Sequence, residues 1–527
     1  MIAPRAPYEG MDIRTLVHAQ ASRYGDRRFL IWEPFEGVGR TWTYSEFLGA
    51  VQTFAAGLCE RGTRPGERVL IHLENCPEFL VAWLGCAWAG VVGVTSNTKL
   101  TPDELSYVAA HSKVVGVVTQ PRFAAIVEEA TGKDCWIAVT ETDAGAPSFP
   151  PKLPPRAVAF DAISGDPAGL LKRSHDPMAP FAVQYTSGTT ARPKAVLWTH
   201  ANALWGAEMS AQHEDLRPED IHLVHLPLFH TNAQVYSVLA SLWAGATVVL
   251  TPRFSASRFW SISLKHRCTW TSLVGFCLRA LQEQPVPVQH HYRYWGLHIC
   301  EPPSDAKFKV KSIGWWGMTE TVTHGIVGST RLPNVANSMG RAAPGYEVFV
   351  LDPEGRPVSA GAVGDLFIRG VRGVSLFQEY SDDPEATKAA FRSDGLFTTG
   401  DRVRVGVDGE LYFADRSKDV LKVGGENVSA SEVERVILGV SGVQEVAVVG
   451  RPDHMLGETV VAFIIPKAVS DSTLEQRVME ACILALASFK RPTDVRIVDS
   501  FPRSTLEKVA KAELRKALIS EEVREVV

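Results

Sequence analysis

Between residues 45 and 140, segments with apolar residues at helical spacing alternate with short, wholly apolar runs, and no other feature restricts the fold as much. Residues 45–60 read as a helix closed by Gly62 and Pro65, and residues 66–73 as a buried strand. A helix at 77–89 follows, then a helix at 102–112, a strand at 114–120, a helix at 122–131 and a strand at 136–140. Strands that alternate with helices imply parallel sheets covered by helices. The pattern returns with a helix at 234–243 and a strand at 246–252, after a Pro- and Gly-rich stretch at 144–156 that reads as a surface linker.

From about residue 340 the texture changes. Residues 346–358 read as a hairpin turning at Pro353-Glu354-Gly355, and 364–370 and 409–416 continue the all-β character. The last stretch, 419–527, has its own mixture: helix 430–439, strands 443–450 and 458–466, helix 472–487 and strand 494–499. The expected architecture is an α/β chain with a large N-terminal domain, 1–417, of stacked α/β subdomains plus a small β-barrel-like part. A small α+β C-terminal domain, 418–527, completes it. With 527 residues, 45% of them hydrophobic, the chain can bury large cores, which excludes a disordered or fibrous protein.

The formal net charge of −5 argues against nucleic-acid or anionic-membrane binding driven by overall charge. The eight cysteines include no CxxC pair, so they are not a disulfide framework. The N-terminus lacks the apolar run of a signal peptide. The longest apolar stretch, residues 79–94, is broken by three glycines and falls short of the ~20 residues of a membrane-spanning helix. It reads as a buried helix passing into a buried strand. A cytoplasmic, soluble protein with no integral membrane segment is expected.

The sharpest chemical signal is the run from Tyr185 to Lys194. It packs Thr186, Ser187, Gly188, Thr189 and Thr190 behind a short apolar segment and ends on a lysine. Glycine lets backbone approach a ligand closely, hydroxyls and N–H groups cradle anions, and a lysine supplies positive charge to terminal phosphates. The spacing is not that of a Walker A loop. By composition alone it reads equally as a flexible polar loop. Gly314-Trp315-Trp316-Gly317-Met318-Thr319-Glu320-Thr321 puts flat aromatics beside a Thr–Glu pair, suited to base stacking with a carboxylate for a metal, or to a Trp-rich core turn. The runs 394–401 and 415–419, and the lysines of 502–511, read one by one as charged or solvated turns.

In this order the motifs resemble those of the adenylate-forming enzymes: acyl- and aryl-CoA synthetases, luciferases and peptide-synthetase adenylation domains. The resemblance runs from Thr43-Tyr44-Ser45 to Lys508. It implies that Thr186, Ser187, Gly188, Thr189, Thr190 and Lys194 hold the phosphates of ATP. Trp316 stands where the family stacks adenine, Thr319 would contact the α-phosphate, and Glu320 would hold Mg²⁺. Asp401 would accept the ribose hydroxyls, with Arg416 beside them. Lys418 matches the hinge about which the small, mobile C-terminal domain swings, and Lys508 the catalytic lysine. Gly424 and Gly425 resemble the loop that passes beside the channel for CoA.

The implied reaction is that of an AMP-forming acyl-CoA synthetase using ATP, Mg²⁺, CoA and a small-molecule carboxylic acid. Attack of a carboxylate on ATP joins two anions, so Lys508, Lys194 and the metal charge would stabilise the developing phosphate charge. An acyl-AMP ligase that loads a carrier-protein thiol is the alternative within the family, and a non-catalytic nucleotide- or acyl-binding homologue the alternative outside it. Oligomeric state, monomer or homodimer, is left open.

Several residues depart from the family pattern. Ala191 and Ala195 replace common glycines and would stiffen the phosphate loop. Glu507 precedes the catalytic lysine, for which Lys511 is a partial substitute, and Cys300-Glu301-Pro302-Pro303 replaces a small-residue turn. On the acyl side, His230 ends a segment that flanks the acyl pocket in the family. Gly317 takes the place of a tryptophan that closes the pocket in acetate-specific relatives, so an acid larger than acetate is expected (medium-chain, alicyclic or aromatic). His222 and His225 lie three apart on a strand, which argues against a metal triad with His230, and His290-His291 reads as a surface pair.

Overall fold

The computed structural model describes residues 7–146, 154–186, 193–416, 420–467, 473–502, 509, 511 and 513–518. Two large sheets carry the first part of the chain. In one, the strands Pro180–Thr186, Val92–Thr95, Arg68–His72, Gly116–Thr119, Trp136–Val139 and Ala157–Ala159 run parallel in that spatial order. The antiparallel strand Lys194–Thr199 folds back beside Pro180–Thr186. In the other, Arg28–Trp32, Thr247–Leu250, Ile221–Val224, Trp270–Ser272, Tyr294–Leu297 and Lys311–Gly317 are parallel neighbours. Parallel sheets need both faces covered.

The cover is visible in the sequence. The helix Pro77–Ala89 has proline in its first turn, which costs no hydrogen bond there, and ends on Gly90 at φ 80°, which accepts the left-handed cap without strain. Nearly all of it is buried, with Trp83 and Phe79 at 0% exposure. It runs into the buried strand Val92–Thr95 as the sequence requires. No helix among the described residues is long and apolar enough to cross a membrane. All eight cysteines are free.

Other boundaries shift for local reasons. The expected helix at 122–131 opens with a 3-10 turn, Pro121–Phe123, before Ala124–Ala130. The one expected at 234–243 is a π-helix, Asn232–Leu239, continued by Ala240–Ala244. Such widened turns are uncommon and collect at functional sites. Glu347–Leu351 pairs with Val363–Arg369 rather than with its own return leg, where the ladder shrinks to a bridge between Leu351 and Pro357. Pro357 has no N–H to extend it. The expected linker at 144–156 falls largely outside the described residues.

The part expected to be barrel-like is a four-stranded antiparallel sheet in the order Glu347–Leu351, Val363–Arg369, Phe397–Val405, Leu411–Arg416. Beyond it, Val420–Val423, Glu426–Ser429, Val443–Asp453, Gly457–Pro466 and Asp494–Ile497 form a separate sheet. The helices Ala430–Leu438 and Leu474–Ala485 share with it a core of their own, built on Leu421, Val433, Ile437, Val460, Ala462 and Val478.

Candidate active site

A cavity of about 840 Å³ lies at the C-terminal ends of the parallel strands, and residues of the small C-terminal sheet close its rim. Ligand crevices in open α/β sheets sit at such ends. It is lined by Thr186, Lys194, His230, Tyr236, His298, Trp316, Gly317, Thr319, Glu320, Tyr380, Asp401 and Gly425, among others.

Thr186 and Lys194 face each other across the antiparallel pair of strands on which they sit. Ser187, Gly188, Thr189, Thr190 and Ala191, between them, lie outside the described residues. Ala195 is buried in the strand opposite Tyr185 and its φ is not positive, so this alanine stiffens nothing that needed glycine. The Lys194 ammonium lies 4.5 Å from the centre of the Tyr380 ring. The Tyr380 hydroxyl in turn donates to Glu320 Oε1 at 2.9 Å. Burial and then the neighbouring Glu320 charge push this phenol well above the ordinary tyrosine range, so it remains a donor.

Glu320 sits in the 3-10 turn Thr319–Thr321, directly after the strand Lys311–Gly317, and is 5% exposed. Its carbonyl accepts from the N–H of Phe377 at 2.8 Å, and the Thr319 carbonyl from the Trp198 indole at 2.9 Å. The turn is therefore pinned by two other segments. No group of three or more His, Cys, Asp or Glu side chains poised for a metal occurs among the described residues. The Glu320 carboxylate at this cavity is compatible with Mg²⁺, which takes one or two carboxylates and substrate oxygens instead of a protein cage.

Trp315 and Trp316 point to opposite faces of their strand. Trp315 stacks on His324 at 4.4 Å and 17°. Trp316 donates its indole N–H to Asp401 Oδ2 at 2.8 Å. Asp401, on Phe397–Val405 and 7% exposed, also takes the Thr399 hydroxyl as acceptor for its backbone N–H. Its strand partner in register is Arg416, whose side chain lies outside the described residues, as do Lys418 and Lys508. Lys511, named as a partial substitute for Lys508, pairs with Glu434 of the small sheet's helix at 2.7 Å.

Gly317 alters the expectation made for it. A Cβ there would lie 2.5 Å from the Tyr236 hydroxyl and 2.8 Å from the Thr323 carbonyl oxygen. The space beside Gly317 is thus taken by Tyr236, from the π-helix, which also lines the cavity. Sequence reasoning missed Tyr236, Tyr380 and His298, which sit in segments without a recognisable motif. His290 departs from the surface-pair reading: it stacks on Trp260 at 5.6 Å and hydrogen-bonds the Phe308 carbonyl at 2.9 Å. His222 and His225 are both buried, the first against Trp270 and the second against Phe254.

Gly424 and Gly425 form the two-residue loop between Val420–Val423 and Glu426–Ser429, at φ 59° and 91°. Positive φ at both positions is what a tight hairpin demands, and glycine supplies it. Glu426, next in line, is almost fully buried and crosses to the large domain. Its Oε2 contacts His230 Nε2 at 3.2 Å and Asn97 Nδ2 at 3.1 Å, and its Oε1 contacts Lys99 Nζ at 3.1 Å. Burial would raise this carboxyl, but His230 and Lys99 outweigh it and hold the pKa at about 2.

The cavity is lined by residues of the large domain and of the small C-terminal sheet, and comparison with known proteins gives the class of protein. Residues 17–380 match the family described as AMP-binding enzyme, and residues 432–508 match its C-terminal domain. The chain belongs to the AMP-binding enzyme family, and the resemblance drawn from its motifs holds. The crotonobetaine/carnitine–CoA ligase of Salmonella paratyphi B is 32% identical over 530 residues, spanning 96% of this chain and 99% of that protein. A double mutant of the o-succinylbenzoate CoA synthetase of Bacillus subtilis, bound with its product analogue, superposes with a TM-score of 0.81. It is 25% identical over 95% of this chain and 98% of that one. The same synthetase in complex with AMP gives 0.66 at 24% identity, over 95% of this chain and 98% of that chain.

Proposed function

We propose that this protein is an AMP-forming acyl-CoA ligase. One cavity gathers Lys194, Trp316, Thr319, Glu320 and Asp401, with the Gly424-Gly425 hairpin at its rim, and this juxtaposition carries the reading. In the first step a carboxylate oxygen attacks the α-phosphorus of ATP, and the bond to the pyrophosphate oxygen breaks. In the second the CoA thiol, losing its proton, attacks the acyl carbon and AMP leaves.

The residues take the following roles. Thr186 and Lys194, with Ser187, Gly188, Thr189 and Thr190, bind the β- and γ-phosphates. The indole of Trp316 packs on adenine, and its bond to Asp401 orients that carboxylate for the ribose hydroxyls, beside Arg416. Glu320, held by Tyr380, would bind Mg²⁺, whose charge offsets that of the departing pyrophosphate. Thr319 contacts the α-phosphate. Lys508 bridges carboxylate and phosphate in the first step, and rotation of residues 418–527 about Lys418 brings Gly424 and Gly425 to the thiol's path for the second. Residues 1–417 are the adenylation domain in this scheme.

His230 and Gly317 border the acyl group, with Tyr236 at its far end. The acid is larger than acetate, in keeping with the carnitine-type and o-succinylbenzoate acids in the names of the relatives. CoA as thiol rests on those names too, and the site of action is the cytoplasm.

The test supplies Mg-ATP and a panel of medium-chain, alicyclic, aromatic and trimethylammonio acids, with and without CoA, and detects AMP, pyrophosphate and thioester by mass spectrometry. One acid class giving CoA-dependent AMP and an acyl-CoA is the expected result. Pyrophosphate without acyl-CoA would make a carrier-protein thiol the acceptor, and ATP binding without turnover of any acid would overturn the ligase reading.

A further inference from the structure

Several contacts between the small domain and the large one gather on one short stretch, Asn97 to Glu104, that the reaction scheme leaves without a role. Asn97 and Lys99 hold Glu426, as described. The Lys99 ammonium also lies 5.4 Å from the centre of the Phe489 ring. Next along the stretch, Lys490 reaches across from the 3-10 turn Ser488–Lys490 and contacts Glu104 Oε1 at 2.5 Å. The same ammonium contacts Glu432 Oε1 at 2.8 Å, within its own domain. Lys490 and Glu432 are each 4% exposed, and only 12% of the Glu104 side chain is accessible.

Glu104 is fixed before Lys490 arrives. It is the N3 residue of the helix Pro102–Ser112, and its Oε2 accepts from the backbone N–H of Thr101 at 2.8 Å in a capping box. One oxygen thus serves the helix and the other faces the interface. An ammonium buried without a carboxylate from each side would be costly, and a lysine already paired with Glu432 still has donors to satisfy. Burial lowers the lysine's basicity, but Glu432 and Glu104 together raise it, which keeps the group charged.

We infer that Glu104, with Lys99 and Asn97, is the latch that holds the small domain in the arrangement that brings the Gly424-Gly425 hairpin to the cavity, and so acts on thioester formation and not on adenylation. The inference rests on the two-step reading above. Glu104 is a positioning residue: it touches neither acid, ATP nor thiol, and it acts through Lys490. Every latch contact ends on the small domain, at Glu426, Phe489 or Lys490. A different placement of that domain, which the two-step reading requires for adenylation, breaks them together.

The experiment measures the half-reactions separately in the full-length protein: acid-dependent ATP–pyrophosphate exchange for the first, single-turnover thioester formation from enzyme-bound acyl-adenylate for the second. Glu104→Gln retains a carbonyl oxygen for the helix cap and removes the charge opposite Lys490. Lys99→Met retains the apolar stem on Phe489. Each variant is expected to slow thioester formation roughly tenfold or more, with the loss persisting at saturating CoA and exchange unchanged. Equal loss in both half-reactions, or none in either, would overturn the latch. If the wild type activates no acid, the ligase reading fails by itself, and hydrogen exchange then decides the latch. Faster exchange of residues 97–105 and 420–429 in Glu104→Gln supports it, and unchanged exchange contradicts it.

Discussion

The two sides of the cavity are built differently. The side contributed by the large domain is set by buried hydrogen bonds within one body. Tyr380 grips Glu320, Trp316 grips Asp401, and the Thr319 turn hangs from Trp198. The side contributed by the small domain is held by charged groups that meet across a boundary, Glu426 with Lys99 and Lys490 with Glu104, with the His230 ring also on Glu426. Buried neutral donors fix a geometry that must not change while phosphate charge develops, which is the use of a preorganised site. Ion pairs between separately packed bodies can be broken and remade at modest net cost, because each charge recovers hydration when the bodies part. Permanence on one side and exchange on the other is what a two-step reaction in one cavity needs.

The largest expected effect tests the permanent side. Removing the Glu320 carboxylate with Glu320→Gln should lower acid-dependent ATP–pyrophosphate exchange on the order of 10²- to 10³-fold, the scale for losing one charge-stabilising group. Tyr380→Phe, which removes only the hydroxyl donor to Glu320 Oε1, should cost less, on the order of tenfold, and weaken the dependence on Mg²⁺ concentration in the same assay. A Tyr380→Phe enzyme with wild-type exchange would show that Glu320 is not positioned by this bond.

A smaller effect probes the exchanging side. Glu426→Gln should slow thioester formation roughly tenfold and leave exchange intact. The sign of its pH dependence follows from its depressed pKa. A carboxyl lowered from 4.5 to about 2 in the docked form contributes to docking fully above 4.5, and loses that contribution only as pH falls through about 2. Thioester formation from pH 5 to 9 should therefore show no acidic limb that Glu426→Gln removes, which stopped-flow measurement across that range checks.

The smallest effect concerns the acyl end. Gly317→Ala drives a methyl into the Tyr236 hydroxyl and should destabilise by about 1–3 kcal/mol, read from denaturant unfolding. Tyr236→Phe removes the offending oxygen and should recover part of that loss while shifting the preferred acid. Full tolerance of Gly317→Ala would show that Tyr236 moves freely and does not fix the space beside Gly317.

The two sides also differed in how legible they were. The parallel sheets followed from strand–helix alternation, because period and punctuation are local properties. The residues of the cavity floor were legible because they cluster in short motifs: Thr319 and Glu320 are adjacent, and Thr186 and Lys194 bracket one loop. Tyr236 and Tyr380 were invisible, since a tyrosine in an apolar helix or at a strand end carries no local mark, and only tertiary packing brings them to Gly317 and Glu320. The interface was invisible for a stronger reason. Glu104 reads in sequence as a capping-box residue, which it is, and its second oxygen acquires a partner 386 positions away. The π-helix at Asn232–Leu239 was hidden too, because its apolar spacing differs little from that of an α-helix over two turns.

The most direct test of this division supplies synthetic acyl-adenylate and CoA to Glu320→Gln enzyme and follows thioester release by rapid quench, beside ATP–pyrophosphate exchange on the same preparation. Exchange lost with thioester formation near the wild-type rate is the predicted result. Loss of both, in a protein whose unfolding midpoint matches wild type, would contradict the separation of a fixed phosphate-activating side from a docked thiol side.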